Sequence, residues 1–348
     1  MPQQFLGNKE FLTKDIEVFA SCPSNIALIK YWGKYEGQIP ANPSISFTLS
    51  NCKTETKMIF KSGEKFSVKT FLAGKEETKF SEKIEKYFRS IEKYLPWILQ
   101  GSFVIETENT FPHSSGIASS ASGFGAIAKC LMEMDKAFSG KDFFDVKKAS
   151  FLARLGSGSA CRSVYDGLVV WGEVNEVEGS SDLYAVKYPN EEIHPIFRDF
   201  NDYVLLIHEG QKSVSSTVGH GLMNTNPYAE RRFQEARENF VPMKEILKSG
   251  DLQSFMKLVE HEALTLHAMM MMSDPAFILM QTGTLQVINR VWEFRKENNL
   301  PLFFTLDAGA NVHLLFPSEK KAEISNFIET ELLQYTQNGG IVRDFMKF

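Results

Sequence analysis

Five short segments bring together residue types that can handle anions and protons. In "NIALIKYWGK", Asn25 to Lys34, two lysines flank Tyr31, Trp32 and Gly33 at the end of a predicted strand. An ammonium beside such apolar neighbours is costly unless its charge meets a partner or its stem snorkels to water. In "FPHSSGIASSASGFGAIA", residues 111–128, five serines and three glycines lead into a predicted helix. Unpaired N–H groups at a helix start favour anions, which would place Ser119, Ser120 and Ser122 around a triphosphate and its Mg²⁺. An N-capped helix with small residues for close packing is the alternative. No Walker-type lysine follows, which excludes the usual nucleotide P-loop.

Two further loops have the same character. "GSGSACRSVYDG", Gly156 to Gly167, offers the Arg162 fork to a carboxylate or phosphate, with Ser157 and Ser159 able to bond phosphate oxygens. A surface Gly/Ser loop with an ion-paired arginine remains open there. "GQKSVSSTVGH" reads as another anion-binding loop, with Lys212, Ser213, Ser215, Ser216 and Thr217. In "FFTLDAGAN" a carboxylate, Asp307, ends a hydrophobic strand before a glycine turn. It is either a turn residue or a group aimed into a cleft from a rigid strand.

The elements that must position these segments follow from periodicity. "DIEVFASC" and "SISFTLS" read as strands, and "KTETKMIFKS" with "KFSVKTFLAG" as a hairpin about Gly63. "SEKIEKYFRSIEKYLPWIL" has helical spacing, with Ile84, Tyr87, Phe88, Ile91 and Leu95 on one side. "SFVIETEN" is a strand, "GFGAIAKCLMEMDKAF" and "DVKKASFLARLG" are helices, and "DGLVVWGEV" is a strand. Past a polar, proline-containing stretch at "YPNEEIHPIFRDFND" come the strand "YVLLIHEG", several helices over 227–298, the strands "PLFFTLDAG" and "VHLLFP", and a last helix from Lys320. Two α+β domains, residues 1–195 and 196–348, with the chemistry shared between them, is the economical arrangement.

Composition bounds the answer. The chain has 348 residues, 43% hydrophobic and 23% charged, with a net charge of −5, so nothing suggests a nucleic-acid partner. Cys22, Cys52, Cys130 and Cys161 are widely spaced, as expected of reduced thiols in a cytoplasmic protein. The N-terminal stretch lacks a signal-peptide pattern, and the apolar run around "MMMM" is broken by His267, Asp274 and Pro275, so no membrane span is expected.

Taken in order, "NIALIKYWGK", "GIASSASGF", "GSGSACRS", "KSVSST" and "LDAGAN" resemble the diphosphomevalonate decarboxylase family of the GHMP small-molecule kinase superfamily, from Asn25 to Asn311. The resemblance implies a GHMP kinase-like fold: a ribosomal-S5-like N-terminal domain that binds ATP and a ferredoxin-like C-terminal domain, with the site between them. It also implies a homodimer. The implied reaction is ATP-dependent decarboxylation of mevalonate 5-diphosphate to isopentenyl diphosphate, with ATP and Mg²⁺ as cofactors. A phosphomevalonate decarboxylase, a mevalonate 3-kinase-like relative, or a silent metabolite sensor on the same fold are the alternatives.

By matching position to motif, the resemblance makes Asp307, Lys30 and Arg162 catalytic. Asp307 would orient the 3-hydroxyl, Lys30 would stabilise the transferred phosphate, and Arg162 would hold the substrate carboxylate. Asn25, Tyr31, Lys34, Ser157, Ser159, Lys212, Ser215 and Ser216 fall on the substrate side. Ser114, Ser115, Gly116, Ser119, Ser120 and Ser122 fall on the ATP side, with Ser120 and Ser122 at the metal. Two polyanions must then approach closely: like charges about 4 Å apart repel by about 4 kcal/mol at an effective dielectric of about 20. An acidic chain has to concentrate Lys30, Lys34, Arg162 and Lys212 at one place. Pro43 in "PANPSIS", Ala310 in "DAGAN" and "PHSSG" before the serine loop depart from the family pattern without removing a charge.

Overall fold

The computed structural model describes residues 3–7, 10–112, 117–210 and 214–346. Its frame is a pair of long antiparallel strands, β1 (Ile16–Ile29) and β4 (Ser44–Ser62), joined through the two-residue strands β2 (Lys34–Tyr35) and β3 (Ile39–Pro40). The separately expected "SISFTLS" and "KTETKMIFKS" are one continuous strand. Its outer half alternates buried and half-buried residues, while its inner half is buried throughout. The register shifts between Pro23 and Asn25, a bulge that re-aims the strand end carrying Asn25 and Lys30.

β5 (Ser67–Leu72) and β6 (Lys75–Glu76) follow, then α1 (Thr78–Ile91) and β7 (Gly101–Asn109). The expected hairpin between β4 and β5 does not form. β7 lies between them, antiparallel to β4 and parallel to β5, so the first sheet runs β6-β5-β7-β4-β8-β9 with β1 on β4. Helix α1 packs the expected Ile84, Tyr87, Phe88 and Ile91 against the sheet but stops at Ile91, and turns carry the chain over Leu95 and Pro96. α2 (Ser119–Ser139) and α3 (Val146–Gly156) cover the same face, α4 (Ala160–Ser163) is a single turn, and β8 (Leu168–Trp171) and β9 (Ala185–Lys187) complete the sheet. Gly140 ends α2 in the left-handed region, donating its N–H to the Lys136 carbonyl.

Short 3₁₀ turns within residues 190–198 lead to β10 (Phe200–Leu205). Five helices follow: α5 (Ser216–Leu222), α6 (Ala229–Glu238), α7 (Phe240–Ser249), α8 (Leu252–Met271) and α9 (Thr282–Asn298). Then come β11 (Phe303–Thr305), β12 (Val312–Pro317), α10 (Lys321–Phe327) and β13 (Ile341–Phe345). The second sheet, β11-β12-β10-β13, is antiparallel throughout. β13 is a strand that the periodicity missed. Its Asp344, 2% exposed, accepts the backbone N–H groups of Ser50, Asn51 and Cys52 at 2.7–3.1 Å and so ties the second sheet to the middle of β4. A continuous apolar core joins the two halves there, with Leu28 and Phe47 in contact with a cluster that includes Phe197, Phe240, Phe255 and Phe303.

Candidate active site

A cleft of about 560 Å³ is lined from both halves of the chain: the end of β1, the starts of α2 and α5, the α3–α4 loop, and the turn after β11. All five segments singled out above contribute to it.

At its floor the Lys30 ammonium lies 3.0 Å from Oδ1 of Asp307, 277 residues away. Lys30 is 1% exposed and Asp307 24%, so the lysine does not snorkel and the aspartate is not simply a turn residue. The carboxylate supplies the partner that a buried ammonium requires. The backbone of Lys30 is held as firmly as its side chain. Its N–H donates at 2.8 Å to Glu262, which is fully buried on α8, and its carbonyl accepts from Asn42 at 2.8 Å. Glu262 is in turn ion-paired with the buried Arg232 and accepts from Asn239. The Asp307 carbonyl is engaged by Nε2 of His267 at 3.0 Å.

Arg162, 3% exposed, donates through Nε to Oδ1 of Asn25 at 3.1 Å and through Nη1 to the Ser44 hydroxyl, with its plane near the Trp171 ring. Asn25 is fixed by its own donations to Ser163 Oγ at 2.7 Å and the Ser159 carbonyl at 3.2 Å. Nη2 has no hydrogen-bond partner among the described residues. The arginine is thus locked at one edge with a donor left over, and it is no surface loop residue. The loop ahead of it depends on Gly158, where a Cβ would sit 2.8 Å from the Tyr31 hydroxyl and 2.9 Å from Trp171. Burial pushes the Tyr31 phenol upward, so it stays protonated.

Across the cleft, α2 begins without a side-chain cap among the described residues. Ala118 occupies the N-cap position in the left-handed region (φ 40°), a strained conformation for a residue with a Cβ. The N-cap residue itself therefore supplies no cap to this start. Ser119 and Ser120 line the cleft, and Ser120 Oγ lies 3.4 Å from Ser157 Oγ on the opposing loop. Ser122 departs from the expectation. It is fully buried and its hydroxyl bonds Thr54 at 2.6 Å, because this position of the first turn faces β4 rather than the cleft. That withdraws it from both the nucleotide and the metal sets. Ser114, Ser115, Gly116 and Lys212 lie outside the described residues. Ser215 and Ser216 start α5 on the cleft wall, with Ser215 Oγ accepting from Val218 N–H.

Lys34 reaches Gln38 at 2.8 Å, and burial followed by the charge of Lys83 holds its ammonium below the usual lysine range. Lys83, on α1, lines the same wall and is likewise lowered by burial. Sequence reasoning missed Lys83, Gln38 and His220. Lys83 sits among the lysines and glutamates of an amphipathic helix, where nothing in the pattern sets it apart. Pro43 packs on Gly172, where a Cβ would come within 2.5 Å of it, and the Ala310 carbonyl accepts from Thr284 at 2.6 Å, so both departures are absorbed locally.

The fold and the cleft define a two-domain α+β enzyme of the GHMP kinase-like class. Two family models divide the chain: residues 22–185 match the diphosphomevalonate decarboxylase-like N-terminal domain, and 203–344 the mevalonate 5-diphosphate decarboxylase C-terminal domain. The diphosphomevalonate decarboxylase of Schizosaccharomyces pombe is 31% identical over 330 residues, covering 88% of this chain and 80% of that one. The mevalonate diphosphate decarboxylase structure from Staphylococcus aureus superposes with a TM-score of 0.83 at 30% identity, covering 95% and 96% of the two chains. MDDEF in complex with MVAPP, AMPPCP and magnesium matches with a TM-score of 0.82 at 27% identity, covering 96% and 97%. The chain belongs to the diphosphomevalonate decarboxylase family.

Proposed function

We propose that the protein uses ATP to decarboxylate mevalonate 5-diphosphate, yielding isopentenyl diphosphate, ADP, phosphate and CO₂. The observation that carries this reading is the buried Lys30–Asp307 pair sharing one cleft with Arg162. Asp307 orients the substrate 3-hydroxyl. A carboxylate is a weak base for an alcohol, but phosphoryl transfer is largely dissociative, so the proton can leave late and positioning dominates. Lys30 offsets the charge on the transferred phosphoryl group. Nη2 of Arg162 takes the substrate carboxylate, held at the edge where that carboxylate must leave as CO₂. Tyr31, Lys34, Ser157, Ser159, Ser215 and Ser216 face the diphosphate, with Lys212 a further contributor. Asn25 acts by orienting Arg162.

Ser119 and Ser120, together with Ser114, Ser115 and Gly116, form the nucleotide side. The open N–H groups at the uncapped start of α2 suit phosphate oxygens. Among the described residues no cluster of three His, Cys, Asp or Glu could hold an ion. Mg²⁺ takes most of its ligands from phosphates and water, and the Ser120 hydroxyl is the group that would contribute from the protein. When bound, the ion neutralises phosphate charge. From the same resemblance we infer domains at 1–195 and 196–348, a homodimer and a cytoplasmic location. No helix among the described residues is long and apolar enough to cross a membrane.

The test is direct. Purified protein with ATP, Mg²⁺ and mevalonate 5-diphosphate should release CO₂ in step with ADP. ADP without CO₂ would point to a 3-kinase, and faster turnover of the monophosphate would reassign the substrate. Arg162→Lys should raise KM for the diphosphate substrate about tenfold or more in steady-state kinetics. An ammonium cannot hold Asn25 and Ser44 and still present a planar donor. KM for ATP should change little.

A further inference from the structure

His220, on α5, belongs to no motif that the sequence picked out. Its ring is 8% exposed and lies between the rings of Tyr31 and Trp32, at centroid distances of 4.4 and 4.5 Å. Nδ1 accepts the Gly33 N–H at 3.0 Å. Only glycine fits at that position, since its φ is +95° and a Cβ there would come within 2.6 Å of Phe233. A ring nitrogen that accepts a hydrogen bond carries no proton, so the neutral ring bears its proton on Nε2. Burial, then the charges of Lys34 and Arg162, push the imidazole down to about 3, so the ring stays neutral at ordinary pH.

Nε2 has no hydrogen-bond partner among the described residues, and His220 lines the cleft with Lys34, Arg162, Ser215 and Ser216. The ring is therefore a donor of known tautomer, locked by stacking and by a backbone amide, on a wall otherwise furnished with cations and hydroxyls. A neutral donor adds direction without adding charge. It bonds an anionic oxygen at one place, where a further lysine would attract any anion.

We propose that His220 is a substrate-binding residue whose Nε2–H donates to a phosphate oxygen of the diphosphate substrate, on the α5 side of the cleft. The proposal rests on the functional reading above, and the wild-type assay separates the two: no turnover sinks that reading, whereas an active enzyme makes the variants informative. His220→Met keeps an apolar body without a donor, and His220→Gln restores an N–H at similar reach. Loss of a hydrogen bond to a charged group should raise KM for the diphosphate substrate about tenfold or more in His220→Met. His220→Gln should recover most of that loss, and KM for ATP should stay near wild type in both. Independently of folding in the variants, ¹⁵N-histidine spectra of the wild-type protein should show one neutral ring protonated at Nε2, whose resonance moves on adding substrate. The proposal is overturned by an unchanged KM in His220→Met, by equal losses in the Met and Gln variants, or by a ring protonated at Nδ1.

Discussion

Asp307→Asn should lower turnover by about a thousandfold while the protein remains folded and still binds nucleotide. Two losses coincide in this variant. The amide cannot accept the proton of the 3-hydroxyl, and it no longer balances Lys30, whose ammonium is 1% exposed and 3.0 Å away. An ammonium left there without its counter-charge is costly to keep buried, so the cation proposed to meet the transferred phosphoryl group is displaced as well. Single-turnover measurement of ADP and CO₂, alongside equilibrium binding of ATP, separates chemistry from binding. Near-normal turnover would remove Asp307 from its role. Pairing Asp307→Asn with Lys30→Met should relieve the unpaired charge and recover thermal stability without recovering activity. A structural ion pair would predict the same stability pattern with activity retained.

Glu262→Gln should be the most damaging change outside the substrate-facing residues. Glu262 is fully buried and its carboxylate serves Arg232, Asn239 and the Lys30 N–H together. Without its charge, Arg232, itself 1% exposed, becomes a buried guanidinium without a counter-charge. Breaking a buried pair from one side costs about 3–5 kcal/mol, which for a chain of this length corresponds to a melting point lower by about 4–7 °C. Calorimetry would read this directly. Replacing Glu262 and Arg232 together by Leu and Met should restore much of the stability, since well-packed apolar groups often match a buried ion pair. Activity should remain impaired, because the Lys30 N–H would still lack its acceptor and the strand end would drift. A double variant as active as wild type would show that this network does not position Lys30.

The order of the motifs made the site legible because the residues proposed to meet ligands cluster within short loops of unusual composition. Lys30, Asp307 and Arg162 were readable as odd placements: a cation among apolar residues, a carboxylate ending a strand, a fork in a Gly/Ser loop. The supports were not. Glu262 looks like a solvated charge on α8, yet it stands three residues after Val259 and four before Leu266, both buried. That spacing puts it on the inner face and is the signal that could have found it. His220 left no comparable trace, since a lone histidine after Gly219 fits any turn. Ser122 was miscast because three serines in a row of four positions look alike in sequence, whereas the helix rotates them apart. β7 separates β4 from β5 because the partner of β5 lies beyond α1, and strand pairing at that range leaves no local mark. β13 escaped because "IVRDF" breaks its alternation with two charges, one of them the Asp344 that binds three amides of β4.

That last carboxylate bears on what counts as a unit in this molecule. The chain divides in sequence near residues 186–202, between the two matched family models. Its interior does not divide there. Phe47 of β4 shares a cluster with Phe240 and Phe303, and the last strand closes onto the middle of the fourth. The halves are separate in sequence but share one interior. Either one made alone would expose the apolar face and the unpaired amides that the other covers, and its surface of separation would be sticky rather than solvent-ready. A functional split of this protein, or its fusion at that junction, would have to rebuild an interior and not merely cut a linker.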